Sequence, residues 1–147
     1  KILENVSLPV IAAGGIMEGN HIKRVINIGA KAAQLGTAFL TCPETGTSNI
    51  HKHYLLNEQQ RKTKITKAFS GRMARGIYNK FIEEMDGKKI FPFPIQNTIT
   101  TPLRRVSQDN NNGEFINLWA GTNFNKVRNI SAKKLIKKLS EELQEDN

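Results

Sequence analysis

Residues 9–15 read Pro-Val-Ile-Ala-Ala-Gly-Gly and residues 32–37 read Ala-Ala-Gln-Leu-Gly-Thr, with an amphipathic stretch between them. Pro9 to Ala13 is a short unbroken apolar run that stops at two glycines. Such a run suits a strand buried on both faces, as in parallel sheets. Glu18 to Ile28 follows with Ile22, Val25 and Ile26 at helical spacing, and Gly29 stands where a helix C-cap glycine belongs. Ala32 to Leu35 then makes a second buried strand that ends at Gly36-Thr37. Strand, glycine turn, helix, strand, glycine turn is a βαβ unit, for which a right-handed parallel crossover is expected.

Outward from this unit the pattern changes. Asn49 to Lys62 predicts a helix carrying Ile50, Tyr54 and Leu55 on one face. Lys64 to Phe69 alternates polar and apolar residues and reads as a third strand, followed by a turn-rich basic loop from Ser70 to Gly76. Asn79 to Met85 predicts a short helix before an Asp86-Gly87 turn. Phe91-Pro92-Phe93-Pro94 excludes a helix interior or a central strand, because proline lacks the amide hydrogen that either would use. Thr98 to Gln108 predicts a helix with Pro102 near its first turn. Ser131 is placed to cap a last amphipathic helix, with Leu135, Ile136, Leu139 and Leu143 inward and Lys133, Lys134, Lys137 and Lys138 outward.

The 147 residues are 38% hydrophobic and 24% charged, which permits a real core and excludes a wholly disordered chain. No apolar run approaches the ~18 residues of a membrane span. A single cysteine, Cys42, excludes an internal disulfide framework, and it reads as a small packing residue because no positioned base is visible. No basic-then-apolar leader is present, so a cytoplasmic location is expected. The chain opens on Lys1-Ile2-Leu3-Glu4 without an initiator methionine, which reads as a start inside a longer protein. Of the net charge of +9, most sits in residues 61–105, where 11 Lys and Arg face 3 acidic residues. Only Phe69, Tyr78 and Phe81 interleave with those cations up to residue 90, so a solvated basic face is expected ahead of a nucleic-acid-binding module. His51 and His53 lack further ligands at metal spacing, His21 reads as a surface residue, and Trp119 reads as a core anchor.

The chemistry-bearing residues are those at the two strand ends. In parallel α/β folds ligands lie outside the carboxyl ends of the strands. Glycine there lets backbone amides approach an anion, a helix start adds partial positive charge, and a threonine hydroxyl adds a donor. Gly14-Gly15 and Gly36-Thr37, on either side of one crossover, therefore read as a phosphate cup.

Ala12-Ala13-Gly14-Gly15-Ile16 and Gly29-Ala30-Lys31-Ala32-Ala33-Gln34-Leu35-Gly36-Thr37-Ala38-Phe39-Leu40 resemble the FMN phosphate-binding half of the nitronate monooxygenases. The stretches Thr66–Arg72, Ala74–Gly76, Phe93–Thr98, Leu103-Arg104 and Leu118–Gly121 are similar to the C-terminal part of the same family, in the same order. The resemblance implies an α/β fold, the C-terminal part of a (β/α)8 TIM barrel followed by a small helical domain. It assigns residues 1–76 to the last strands and helices of an FMN-binding barrel, about three strands, and residues 77–147 to a mainly helical C-terminal region.

The resemblance also implies FMN as cofactor. Gly15 would give it backbone contact, and Gln34, Leu35, Gly36 and Thr37 would surround the phosphate. Gly14 joins this set because its missing side chain keeps the cup open. The implied reaction is oxidation of an alkyl nitronate by molecular oxygen to a carbonyl compound and nitrite. No catalytic residue is assigned, because the family's catalytic histidine belongs to an earlier barrel strand whose glycine-rich context is absent here. Thr122 also departs from the glutamine that many members carry after Trp-Ala-Gly. The expected partners are the nitronate, oxygen and the missing N-terminal half of the barrel, without which the chain is expected to be inactive. A flavin-dependent enoyl-reductase relative shares the Gly-Gly-Ile and Gly-Thr pair and is the alternative enzyme reading. Arg72 and Arg75 would meet an anion only if their loop follows a barrel strand.

Overall fold

The computed structural model describes residues 1–145. It divides into two compact units, one made of residues 1–47 with the chain from Asn123 onward, the other of Ser48–Thr122. In chain order the second interrupts the first, between 47/48 and 122/123. The reason is the last helix, whose apolar side is spent on the βαβ unit. No helix among the described residues is long and apolar enough to cross a membrane.

In the first unit a short helix α1 (Ile2–Asn5) precedes β1 (Ile11–Ala13), α2 (Gly19–Asn27) and β2 (Ala32–Gln34). The strands pair in parallel, with Ile11 opposite Ala32, Ala12 opposite Ala33 and Ala13 opposite Gln34. α2 ends in a Schellman closure. Gly29, at φ +105°, donates its amide to the Ile26 carbonyl at 2.8 Å, and Ala30 donates to Val25 at 3.0 Å. Only a residue free of a Cβ adopts that φ without strain. The final helix α6 (Ala132–Gln144) starts at Ser131, whose hydroxyl accepts from the Lys134 amide at 3.3 Å. Its Leu135 and Leu139 are buried with Met17, Ala38 and Cys42, each leucine contributing about 1.5–3 kcal/mol of burial. Ile136 and Leu143, expected inward, are exposed at 58% and 37%. The i, i+4 pair 135/139 faces the core squarely, and 136 and 143 fall to its side.

α2 begins against α6. Gly19 is buried, and its amide donates to Glu142 Oε2 at 2.8 Å. Arg128 holds the same carboxylate at 2.8 Å. Glu18 bonds Lys126 and is flanked by His21 at 3.6 Å and Arg128 at 3.9 Å. The Lys126 hydrogen bond first, then the surrounding cations, hold the Glu18 carboxyl below its usual range against the opposing effect of burial. His21 is accordingly half-buried, its Nδ1 accepting from the Met17 amide at 3.3 Å, and is not the free surface residue expected.

The second unit holds α3 (Asn49–Asn57), β3 (Thr63–Thr66), β4 (Ala74–Ile77), α4 (Lys80–Glu84) and α5 (Ile95–Asp109). β3 pairs antiparallel with β4, Thr63 opposite Ile77 and Thr66 opposite Ala74. The expected third strand is therefore one arm of a hairpin, and the described parallel strands number two, not three. Ser70-Gly71 reverses the chain, and antiparallel partners need only such a short loop. This unit holds both helices and the hairpin. α3 stops five residues early because Thr63 onward is committed to the hairpin. α5 starts three residues early, at Ile95, which places Pro102 in its interior.

Phe69, Phe81 and Ile82 form the core of this unit, with Trp119 edge-on to Phe69 at 5.6 Å. Buried Asn79 caps α4 by accepting from the Ile82 amide at 3.2 Å, and donates to the carbonyls of Gly113 at 2.9 Å and Ile116 at 2.8 Å. Glu114 joins Arg61 at 2.7 Å, the Lys80 amide at 2.8 Å and the Tyr54 hydroxyl at 3.0 Å. Burial pushes the Glu114 carboxyl up, but these donors outweigh it and leave it lowered. Burial and the Glu114 contact push Tyr54 up to about 12.

A carboxylate lowered in the folded state stabilises above its unfolded pKa, about 4.3 for Glu, and loses that contribution as pH falls through the folded value. The urea midpoint is therefore expected to hold between pH 7 and about 5 and to fall below about 4. Glu114→Gln is expected to lower the midpoint at pH 7 and flatten its acid dependence. An unchanged acid slope in that variant would remove Glu114 from the account.

Candidate functional site

The parallel register puts Ala13 beside Gln34, so the loops leaving β1 and β2 emerge side by side. Gly14, at φ +101°, and Gly15, at φ +69°, make the first loop, a conformation that strains any residue with a Cβ. Both Gly14 and Gly36 are exposed, and a Cβ placed on either meets no atom within 4 Å. Two open backbone edges thus face the same end of the sheet. Gln34 is exposed there, at the last position of β2. Leu35 turns its side chain into the core with Met17 and Leu139, so only its backbone belongs to the strand end. Thr37, half-buried, opens a 310 turn over Thr37–Phe39, closed by Phe39 donating to the Gly36 carbonyl at 3.0 Å.

The six residues read from the sequence are thereby brought to one edge. The start of α2 is not part of it, because the Gly19 amide is engaged by Glu142. Any helix-start contribution must come from the 310 turn after Gly36. One neighbour escaped the sequence reading. Asn123 Nδ2 donates to the Gly15 carbonyl at 2.7 Å across 108 positions of chain, and no local signal marks it. This bond fixes the direction of the Gly14-Gly15 loop. Arg72 and Arg75 belong to the hairpin, the first in its turn and the second in β4, and do not follow a parallel strand: Arg72 stacks over Phe93 at 4.3 Å and Arg75 bonds Thr63 Oγ1 at 3.2 Å. His51 and His53 diverge, as residues two apart on a helix do. His51 bonds the Trp119 backbone, whereas His53 meets Asn57 at 3.2 Å. Burial lowers the His51 pKa.

A parallel βαβ unit with open glycines in both loops at its carboxyl edge defines an α/β protein with a backbone cradle suited to an oxyanion. The chain belongs to the nitronate monooxygenase family, whose model matches residues 1–142. A probable nitronate monooxygenase of Staphylococcus aureus strain Newman is 44% identical over 123 residues, covering 82% of this chain and 35% of that protein. The corresponding protein of Bacillus subtilis strain 168 is 39% identical over 140 residues, covering 93% and 40%. Among solved structures, a nitroalkane oxidase from Streptomyces ansochromogenes superposes with a TM-score of 0.93 at 39% identity, over 97% of this chain and 41% of that one. FabK from Thermotoga maritima superposes with a TM-score of 0.75 at 27% identity, over 96% and 46%. The chain therefore spans less than half the length of these relatives.

Proposed function

We propose that this chain carries the FMN phosphate site of a cytoplasmic enzyme that oxidises alkyl nitronates with oxygen to a carbonyl compound and nitrite. The observation that carries the reading is the pair Gly14 and Gly36, exposed on adjacent ends of a parallel strand pair with no atom where a side chain would begin. The likeness to a nitroalkane oxidase over 97% of the chain supports the choice of substrate class. When bound, FMN supplies the two-electron redox chemistry. The residues of this chain bind and orient. Gly14 and Gly15 admit the phosphate to the backbone, Gly36 and the 310 turn from Thr37 direct amide dipoles at it, and Gln34 and Leu35 flank it. Asn123 holds the Gly14-Gly15 loop in its binding shape.

A (β/α)8 barrel takes about 250 residues, so β1 and β2 stand as two of its strands. The remaining strands, with the proton-transferring group, are the partner this reading expects.

Gly36→Ala tests the cradle. Gly36 lies at φ −114°, an ordinary conformation, and its Cβ space is empty. The variant is expected to fold with stability changed by less than about 0.5 kcal/mol. FMN affinity, read by quenching of flavin fluorescence, is expected to fall at least about tenfold, equivalent to ~1.4 kcal/mol. Riboflavin, which lacks the phosphate, is expected to bind the native chain more weakly and to ignore the substitution. No flavin binding by the native chain, or equal FMN affinity in the variant, would overturn the assignment.

A further inference from the structure

We propose that the cleft between the C-terminal half of α5 and the Ile116-Asn117 segment binds a small oxyanion, of carboxylate or phosphate type, between the guanidinium groups of Arg104 and Arg105. The cleft has a volume of about 220 Å³ and is lined by Thr101, Arg104, Arg105, Gln108, Ile116 and Asn117. Thr101, the two arginines and Gln108 recur at three- to four-residue intervals on α5, so their polar ends share one face. The space suits a single phosphate or carboxylate group.

Arg104 is held in place by neutral acceptors only. Its Nη2 donates to the Asn97 carbonyl and to Asn97 Oδ1, both at 2.9 Å, and to Thr101 Oγ1 at 2.8 Å. Nη1 reaches Asn117 Oδ1 at 3.3 Å. Among the described residues no carboxylate comes within ion-pair distance of Arg104 or Arg105. The exposed Asp109, one turn beyond Arg105, is not paired with it.

Two other hydrogen-bonded arginines, Arg61 and Arg128, have carboxylate partners. Arg61 has Glu114 at 2.7 Å and Glu58 at 3.1 Å, and Arg128 has Glu142 at 2.8 Å. The titration tendencies follow. The Glu114 hydrogen bond raises the Arg61 pKa, whereas burial alone acts on Arg104 and lowers it. A partly desolvated guanidinium without a counter-charge costs free energy that an anion would return. Fixing Nη2 on Asn97 and Thr101 pre-orients the planar group, and the second Nη1 hydrogen is left to meet an oxyanion oxygen beside Arg105. The clamp accounts for Nη2 and leaves Arg105 and Gln108 without a task; the oxyanion supplies one. The site stands apart from the glycine cradle and does not depend on flavin binding.

Titration of the ¹⁵N-labelled chain with inorganic phosphate and with acetate, at ionic strength held constant with chloride, tests the proposal. Saturable shifts are expected in the amides of Thr101, Arg104, Arg105, Gln108 and Asn117, with a Kd on the order of 1 mM for at least one probe. Saturation by acetate alone would assign a carboxylate, and saturation by both the broader oxyanion class. Arg105→Ala, at an exposed residue with no partner among the described residues, keeps the fold and is expected to weaken the tighter probe roughly tenfold. Arg104→Gln is expected to abolish it; should that variant unfold, Arg105→Ala decides. Shifts confined to Gly14 and Gly36, an equal response to chloride, or unchanged affinity in Arg105→Ala would each overturn the site.

Discussion

Gly71→Ala is expected to destabilise the Ser48–Thr122 unit by more than about 3 kcal/mol, enough to unfold a domain of marginal stability. Two costs add. Gly71 sits at φ +81°, where a Cβ costs roughly 1–2 kcal/mol. That Cβ would also stand 2.5 Å from the Phe91 carbonyl oxygen, 2.6 Å from the Phe93 amide nitrogen and 2.8 Å from the Pro92 carbonyl carbon. These are backbone atoms, so no rotamer change relieves the overlap.

Retreat of the 91–93 segment would in turn disturb α5. Gln96 Nε2 donates to the Ala68 carbonyl at 2.6 Å and its Oε1 accepts from the Phe91 amide at 3.2 Å, while Thr100 donates to the Phe69 carbonyl at 2.7 Å. Urea unfolding followed by emission of Trp119, the single tryptophan and a neighbour of Phe69, reads the effect. A loss below about 1 kcal/mol would show that the loop and α5 separate cheaply.

Gly19→Ala is the matching test in the first unit, again with a loss above about 3 kcal/mol. Here the backbone angle is ordinary and the whole effect is contact. The new Cβ would lie 2.4 Å from Glu142 Cβ and 2.6 Å from both Glu142 C and Leu143 N. α6 would have to lift from α2, exposing Leu135 and Leu139 and breaking the Gly19 amide bond to Glu142. Glu142→Gln keeps the space and a hydrogen-bond acceptor but removes the charge shared with Arg128, and is expected to cost about 1–2 kcal/mol. Hydrogen exchange across α6 measures both. Trp119, Tyr54 and Tyr78 all lie in the other unit, so early loss of α6 protection with unchanged tryptophan emission is the expected signature. Simultaneous loss of both signals would show instead that the units unfold together.

The residues that carry the fold were legible to different degrees. The strand–helix–strand order, the Gly29 cap and the Ser131 cap follow from patterns a few residues long and stand in the structure, whereas neither strand is buried on both faces as expected: Ile11 is 61% exposed and no residue of β1 or β2 is buried. The pairing of the third strand was not legible, because alternation over Lys64–Phe69 signals a strand without saying which neighbour it pairs with or in which direction. Helix ends drifted at Asn57 and Ile95 where a competing hairpin or a proline-rich turn set the boundary. For the candidate site, glycines ending apolar strands were visible, whereas Asn123 was not: its bond to Gly15 spans 108 positions and has no local mark.

By itself, then, the sequence determined the parallel crossover, the two glycine-bearing strand ends and the residues gathered there, because periodicity and glycine geometry act within a turn or a strand. The tertiary structure alone decided that α6 returns to cover α2, that Glu142 occupies the start of that helix, and that Ser48–Thr122 forms a core of its own. Those outcomes depend on which buried surfaces fit one another at close range, and contacts such as Gly19 on Glu142 or Gly71 on Phe91–Phe93 exist only once distant segments have met.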